Sequence, residues 1–110
     1  MTVTAKCLVE TKYAENAQTT QYTVTANFAI IDKCVAYNGT AGAVTLAINV
    51  VPSGGSAGAS NLVVNKTLNA GETYTFPEIV GNVLNKSDFV SLIAGAASSV
   101  TFRLSGREIT

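Results

Sequence analysis

The chain has 110 residues, 47% of them hydrophobic, 13% charged and 7% aromatic, with seven basic residues balancing seven acidic ones. That length supports one small domain with its own core, and low charge with high hydrophobicity excludes intrinsic disorder. The neutral balance leaves no electrostatic footprint for nucleic acid, no apolar run approaches the ~18 residues of a membrane helix, and the absence of His removes the commonest general base and metal ligand.

Apolar residues recur with a period of two along most of the chain. Thr2 to Val9 reads as a strand with Val3, Ala5, Cys7 and Val9 on one side, and residues 1–12 as a candidate N-terminal arm. No basic start followed by an apolar stretch opens the sequence, so no secretory signal is read and folding in a cytoplasm is expected. Residues 20–24 alternate Tyr, Thr and Val, which favour a pleated surface. Segment 28–37 reads as a long central strand, bulged where Ile30 and Ile31 put apolar groups on both faces. Asn38-Gly39, followed by Thr40-Ala41-Gly42, predicts a four- or five-residue hairpin loop. Val44, Leu46, Ile48 and Val50 then alternate with Thr45, Ala47 and Asn49 as a half-buried strand.

Pro52 to Ser60 is a loop of small residues, expected to be exposed, mobile in the isolated protein and ordered on contact with a partner. Residues 61–68, 72–76 and 88–93 are further strands. Between them Ile79, Val80, Val83 and Leu84 stand at near-helical spacing behind Pro77, which predicts a single helical turn or at most one short helix near 78–84, weakened by Gly81. Val100, Phe102 and Leu104 close the chain with another inward-facing alternation. Short strands punctuated by turns predict an all-β antiparallel sandwich, jelly-roll-like or immunoglobulin-like, as a single domain over 1–110.

Few residues suit chemistry. Gly54-Gly55-Ser56-Ala57-Gly58 lacks the Lys and following helix of a phosphate loop. Cys7 and Cys34 lack zinc spacing and read as two free thiols; a disulfide requires their Cα atoms within about 7 Å. The carboxylates are scattered, so no metal site, cofactor site or catalytic residue is read, and an Asp32–Glu72 glycosidase pair is the remaining enzymatic option. Tyr13, Tyr22, Tyr37 and Tyr74 offer at most a sugar-stacking platform. Asn38-Gly39-Thr40, Asn65-Lys66-Thr67 and Asn85-Lys86-Ser87 match the glycosylation pattern and read as by-products of composition. Asp32 and Lys33 interrupt the most hydrophobic strand, as charges do at a sheet edge or a subunit contact. With the loop residues Ser53, Gly54, Gly55 and Ser56, they are the candidate partner contacts.

Ile31-Asp32-Lys33, Val51-Pro52-Ser53-Gly54-Gly55-Ser56-Ala57-Gly58, Gly71-Glu72-Thr73-Tyr74, Pro77-Glu78 with Gly81 and Val83-Leu84, and the ending Ser105-Gly106-Arg107-Glu108-Ile109-Thr110 form an ordered chain of short motifs. Over roughly residues 20–110 it resembles small β-sandwich structural proteins of tailed bacteriophage virions. The resemblance implies a non-enzymatic particle component made in the bacterial host cytoplasm. A capsid decoration or cement protein on the major capsid protein is the leading expectation, with a neck, collar or tail accessory protein as its rival. It carries no catalytic or cofactor residue to transfer, and residues 1–19 fall outside it. An exposed strand edge adding to a neighbour's sheet suits such a role, as does a homo-oligomer. A carbohydrate-binding module used in host attachment is the expectation of a different class.

Overall fold

A computed structural model describes residues 1–110. Nine strands carry the fold: β1 (Val3–Tyr13), β2 (Thr19–Thr23), β3 (Phe28–Asn38), β4 (Val44–Val51), β5 (Leu62–Leu68), β6 (Thr73–Tyr74), β7 (Val83–Asn85), β8 (Phe89–Ala94) and β9 (Val100–Ile109). One sheet, A, runs β1-β9-β3-β6, with β7 also on β3; the second, B, runs β2-β8-β4-β5. Every pairing is antiparallel: β1 with β9, β2 with β8, β3 with β6 and β7, and β4 with β5. The chain is therefore one long ribbon, doubled back between β4 and β5 and rolled so that its paired segments, β1/β9, β2/β8, β3 with β6 and β7, and β4/β5, alternate between the sheets. That order is a jelly roll, and it decides between the two sandwich types expected from the sequence.

The period of two is what lets the sheets stack. Val100, Phe102 and Leu104 of β9 and Leu46 and Ile48 of β4 are essentially inaccessible and belong to one core cluster. Phe76 and Phe102 are its largest fully buried members, and full burial of each such side chain contributes about 1.5–3 kcal/mol. Residues 1–12 are not free of the sandwich. They form most of β1, which pairs with β9 along its length and sends Leu8 and Val9 into the core.

The expected bulge in β3 is present. Ile31 opposes Gly106 and Lys33 opposes Ser105, so Asp32 is the unpaired extra residue. Here β3 and β9 approach so closely that a Cβ on Gly106 would overlap the Ile30 carbonyl oxygen. Glycine at 106 is thus a steric requirement of the bulge.

Three expectations are corrected. The connection after Asn38 has the expected length, residues 39–43, but β3 and β4 lie in different sheets, so it is a crossover and not a hairpin. The buried Asn38 holds that corner. Its Nδ2 donates to the carbonyls of Gly42, Leu68 and Asn69, and its Oδ1 accepts from the Thr40 backbone and hydroxyl. The short helix near 78–84 is absent: residues 77–81 are turns, and Val83 and Leu84 belong to β7. Gly81 stands at φ +86, outside any helix, and its amide is drawn to the Ile31 carbonyl. The strand read over 72–76 shrinks to Thr73–Tyr74, because Phe76 turns into the core at φ +46.

Candidate interaction surfaces

Asp32 and Lys33 are exposed at the bulge of β3. That strand pairs with β9 on one side; on the other, β7 covers Phe28 to Ile30 and β6 covers Ala36 and Tyr37, so Asp32 and Lys33 fall between them, where β3 has no partner strand. Arg107 of β9 clamps Asp32 from two nitrogens, Nε to Oδ2 at 3.0 Å and Nη2 to Oδ1 at 2.9 Å. The Asp32 carboxylate raises the Arg107 guanidinium above its ordinary value by hydrogen bonding and by charge. Lys33 has no such partner within the chain.

Ser53, Gly54, Gly55 and Ser56 form an exposed loop joining β4 to β5. The expected mobility is not what the geometry offers. The Asn49 amide donates to the Gly58 carbonyl at 2.9 Å and to Asn61 Oδ1 at 2.7 Å. Asn61 donates in turn to the Ser56 carbonyl, and its Oδ1 also accepts the Gly58 amide. At the loop's start, Gly55 N–H donates to the Pro52 carbonyl and Ser53 N–H to Asp88 Oδ1. The loop buries Asn49, and Gln18 reaches from the other side to Asn49 and Ser91. Reading the loop alone misses this, because the anchoring side chains lie outside it. Within one chain the loop and the Asp32–Lys33 pair stand on different sheets and make no hydrogen bond to each other.

The other sequence candidates are dispersed. Glu72 caps the turn at Asn69, and its backbone carbonyl accepts the Asn38 amide at the far end of β3. Asn38 is six residue steps along the strand from Asp32, about 20 Å at ~3.3 Å per residue, too far for a glycosidase pair. Cys7 and Cys34 lie on different strands separated by β9, and Cys34 is inside the core while Cys7 is half-buried, so both thiols are free. Burial pushes the Cys34 thiol up to about 12. No three His, Cys, Asp or Glu side chains converge. Among the sequon asparagines, Asn38 is fully buried.

The four tyrosines do not make one platform. Tyr22 is buried and donates to Glu108, while Tyr74 meets the edge of Phe76 and donates to Glu78. Tyr13 and Tyr37 are exposed on either side of Thr101 in sheet A. Beside them runs a shallow groove of about 140 Å³, lined mainly by Thr11, Val35, Tyr37, Thr101 and Arg103.

Two features escaped the sequence reading. The first is a polar clasp between the sheets. Glu108 of β9, its side chain 13% exposed, accepts from Tyr22 of β2 at 2.5 Å and from Lys6 of β1 at 3.1 Å. The Tyr22 hydroxyl, then the Lys6 ammonium, hold the Glu108 carboxyl below its ordinary value. Desolvation and the Glu108 carboxylate raise the Tyr22 phenol. Its sequence signal was the even-numbered alternation from Val100 to Leu104, which continues to Glu108 and puts a charge on the inward face.

The second is an apolar row across the outer face of sheet A. The register aligns Val3, Ile109 and Phe28, then Ala5, Arg107, Ile30 and Val83. Val3, Phe28 and Val83 are 50%, 44% and 59% exposed. Arg107 stands within the second row, so the face combines exposed apolar side chains with one charge, and such a grouping marks an interaction surface more often than a single exposed residue does.

No protein-family model and no curated protein matches the chain. Among solved structures, it is similar to a chain from the Bacillus endospore appendages that form a novel family of disulfide-linked pili. The two share 18% identity and a TM-score of 0.53, over 97% of this chain and 88% of that one. It also aligns with a chain of infectious bursal disease virus Gt strain at 9% identity and a TM-score of 0.37, over 96% of this chain and 31% of that one. The first likeness shows the fold; the second carries no argument. No helix is long and apolar enough to cross a membrane.

Proposed function

We propose that the protein is a non-enzymatic structural subunit that works by assembly, and that its place is in a bacteriophage virion as a capsid decoration or cement protein on the major capsid protein. The observation that carries the assembly reading is the outer face of sheet A, where Val3 and Phe28 in one row and Val83 in the next stand exposed, and the first row ends at the open edge of β1. Such a surface gains affinity when one contact is repeated over many copies. The virion position is supported by the sequence resemblance over residues 20–110. The Asp32–Arg107 clamp and the pinned Ser53–Ser56 loop supply fixed polar contacts for a shell partner, and Lys33 supplies an unpaired exposed charge. Quantitative mass spectrometry of purified particles, referenced to the major capsid protein, tests it. Hundreds of copies per particle are expected. A dozen or so moves the protein to the neck, collar or tail, and none refutes the virion reading.

A filament subunit is the second reading, favoured by the fold likeness to a pilus-forming chain across nearly the whole domain. Electron microscopy of the purified protein separates the two. Filaments formed by the protein alone support this reading, and their absence at high concentration removes it.

A further inference from the structure

The strand edges of the sandwich differ sharply in how they are guarded. β6 and β7 have two and three residues, and β2 has five with a register shift between Thr20 and Tyr22. In β5 a shift puts Val63 out of the ladder and Lys66 interrupts the strand. Short strands, bulges and charged side chains all discourage edge pairing. The second half of β1 is guarded in the same way, by shifts between Cys7 and Val9 and between Val9 and Lys12 and by Glu10 and Lys12.

The first half of β1 is different. From Val3 to Cys7 its register against β9 is unbroken. Thr2 and Thr110 exchange both backbone hydrogen bonds, each 2.9 Å, which sets the phase of the ladder. In antiparallel pairing the bonded residues alternate, so Thr2, Thr4 and Lys6 bond β9, while Val3, Ala5 and Cys7 aim their N–H and C=O groups away from the sheet. The one charge in this stretch, Lys6, is drawn to Glu108 and does not stand guard. Val3 and Ala5 are exposed, and the apolar row of sheet A ends at them.

We propose that this edge pairs with the same edge of a second copy, antiparallel about a two-fold axis at Ala5. This is the register that engages all three outward residues of both copies. Val3 bonds Cys7 of the partner subunit, Ala5 bonds Ala5 of the partner subunit, and Cys7 bonds Val3 of the partner subunit. Self-complementarity argues for a second copy as the occupant: Lys6 comes opposite Thr4 of the partner subunit, so no like charges face each other. Placing the axis on Lys6 would set two ammonium groups together. The two A sheets become one continuous sheet, and the apolar rows of both copies share one outer face. Closed two-fold pairing is the commonest oligomer symmetry. The inference deepens the assembly reading by naming a homotypic contact, and it stands or fails apart from particle association.

The test is sedimentation velocity of the full chain from about 1 to 500 μM, on wild type, Ala5→Lys and Ala5→Glu. Ala5 faces solvent, so each variant is expected to keep its circular dichroism spectrum and to melt near wild type. Wild type should form a dimer of twice 11.4 kDa as concentration rises. Each variant alone should dissociate at least tenfold more readily, because residue 5 meets its own charge across the axis. An equimolar mixture of the two should restore the dimer. A wild type that stays monomeric, variants that dimerise like wild type, or a mixture that fails to associate would each overturn the proposal. A monomeric wild type found at high copy number in particles would leave the assembly reading intact.

Discussion

Of the chain's glycines, Gly106 at the bulge of β3 has the least room for a side chain. A Cβ added there would intrude by roughly an ångström or more on the Ile30 carbonyl oxygen, and would sit 3.1 Å from Leu8 Cδ1. The carbonyl belongs to a strand held on both sides, by β9 and by β7, so it cannot swing away without disturbing a ladder. Overpacking of this kind costs about 1–3 kcal/mol, and each ladder bond lost adds about 0.5–1.5. Gly106→Ala should therefore destabilise the protein by about 3 kcal/mol, a large share of the roughly 5–15 available to a domain. For a chain of this size that is a fall in Tm of about 10–15 °C. The assay is urea unfolding followed by circular dichroism, with Gly42→Ala as the control, since a Cβ at 42 meets nothing within 4 Å. The control should move by less than about 0.5 kcal/mol. A Gly106→Ala midpoint within that same margin would refute the claim that the bulge requires glycine.

Other outcomes follow from the clasp, the pinned loop and the thiols. Because the folded state lowers the Glu108 carboxyl, its contribution is present above the ordinary value of 4.5 and disappears as pH falls through the lowered one, so Tm should drop below about pH 4.5. Because the folded state raises the Tyr22 phenol, its contribution is present below the ordinary value of 10.0 and weakens as pH climbs past it. Glu108→Gln should cost about 1–2 kcal/mol at neutral pH and flatten the acid limb of a Tm–pH profile; an unchanged acid limb would count against the clasp. Asn49→Ala should cost about 1–3 kcal/mol and accelerate hydrogen exchange of the Gly58 amide, whereas rapid exchange already in wild type would show the loop unpinned. Ellman's reagent should label Cys7 in the native protein and reach Cys34 only on unfolding; equal native rates would contradict the burial of Cys34.

The sandwich was legible where one face of a strand is buried and the other wet. β4 and β9 announce themselves because Leu46 and Ile48 alternate with Thr45, Ala47 and Asn49, and Phe102 and Leu104 with Thr101, Arg103 and Ser105. What stayed hidden depends on contacts far away in sequence. Ile79, Val80, Val83 and Leu84 carry a helical period, yet the hydrogen bonds joining Gly81 and Asn82 to Ile31 hold the segment against β3. Asn38-Gly39 has the chemistry of a hairpin turn, but nothing local says that the next strand belongs to the other sheet. The Ser53–Ser56 loop contains no anchor of its own, since Asn49, Asn61 and Asp88 supply the bonds. The edge of β1 was visible as an alternating strand, but not which of its backbone groups face outward.

The rolled ribbon also fixes the order in which the molecule is able to come together. Its most local pairing is β4 with β5, joined by residues 52–61, whereas β1 and β9 lie at opposite ends of the chain. Each winding outward from the central turn closes a longer loop, and the entropy of closure rises with length, so long-range sheets of this kind form on the millisecond-to-second scale. A nascent chain presents β1 long before its partner β9. Sheet A is therefore completed only once β9 has left the ribosome, and until then β1 travels with both of its edges open.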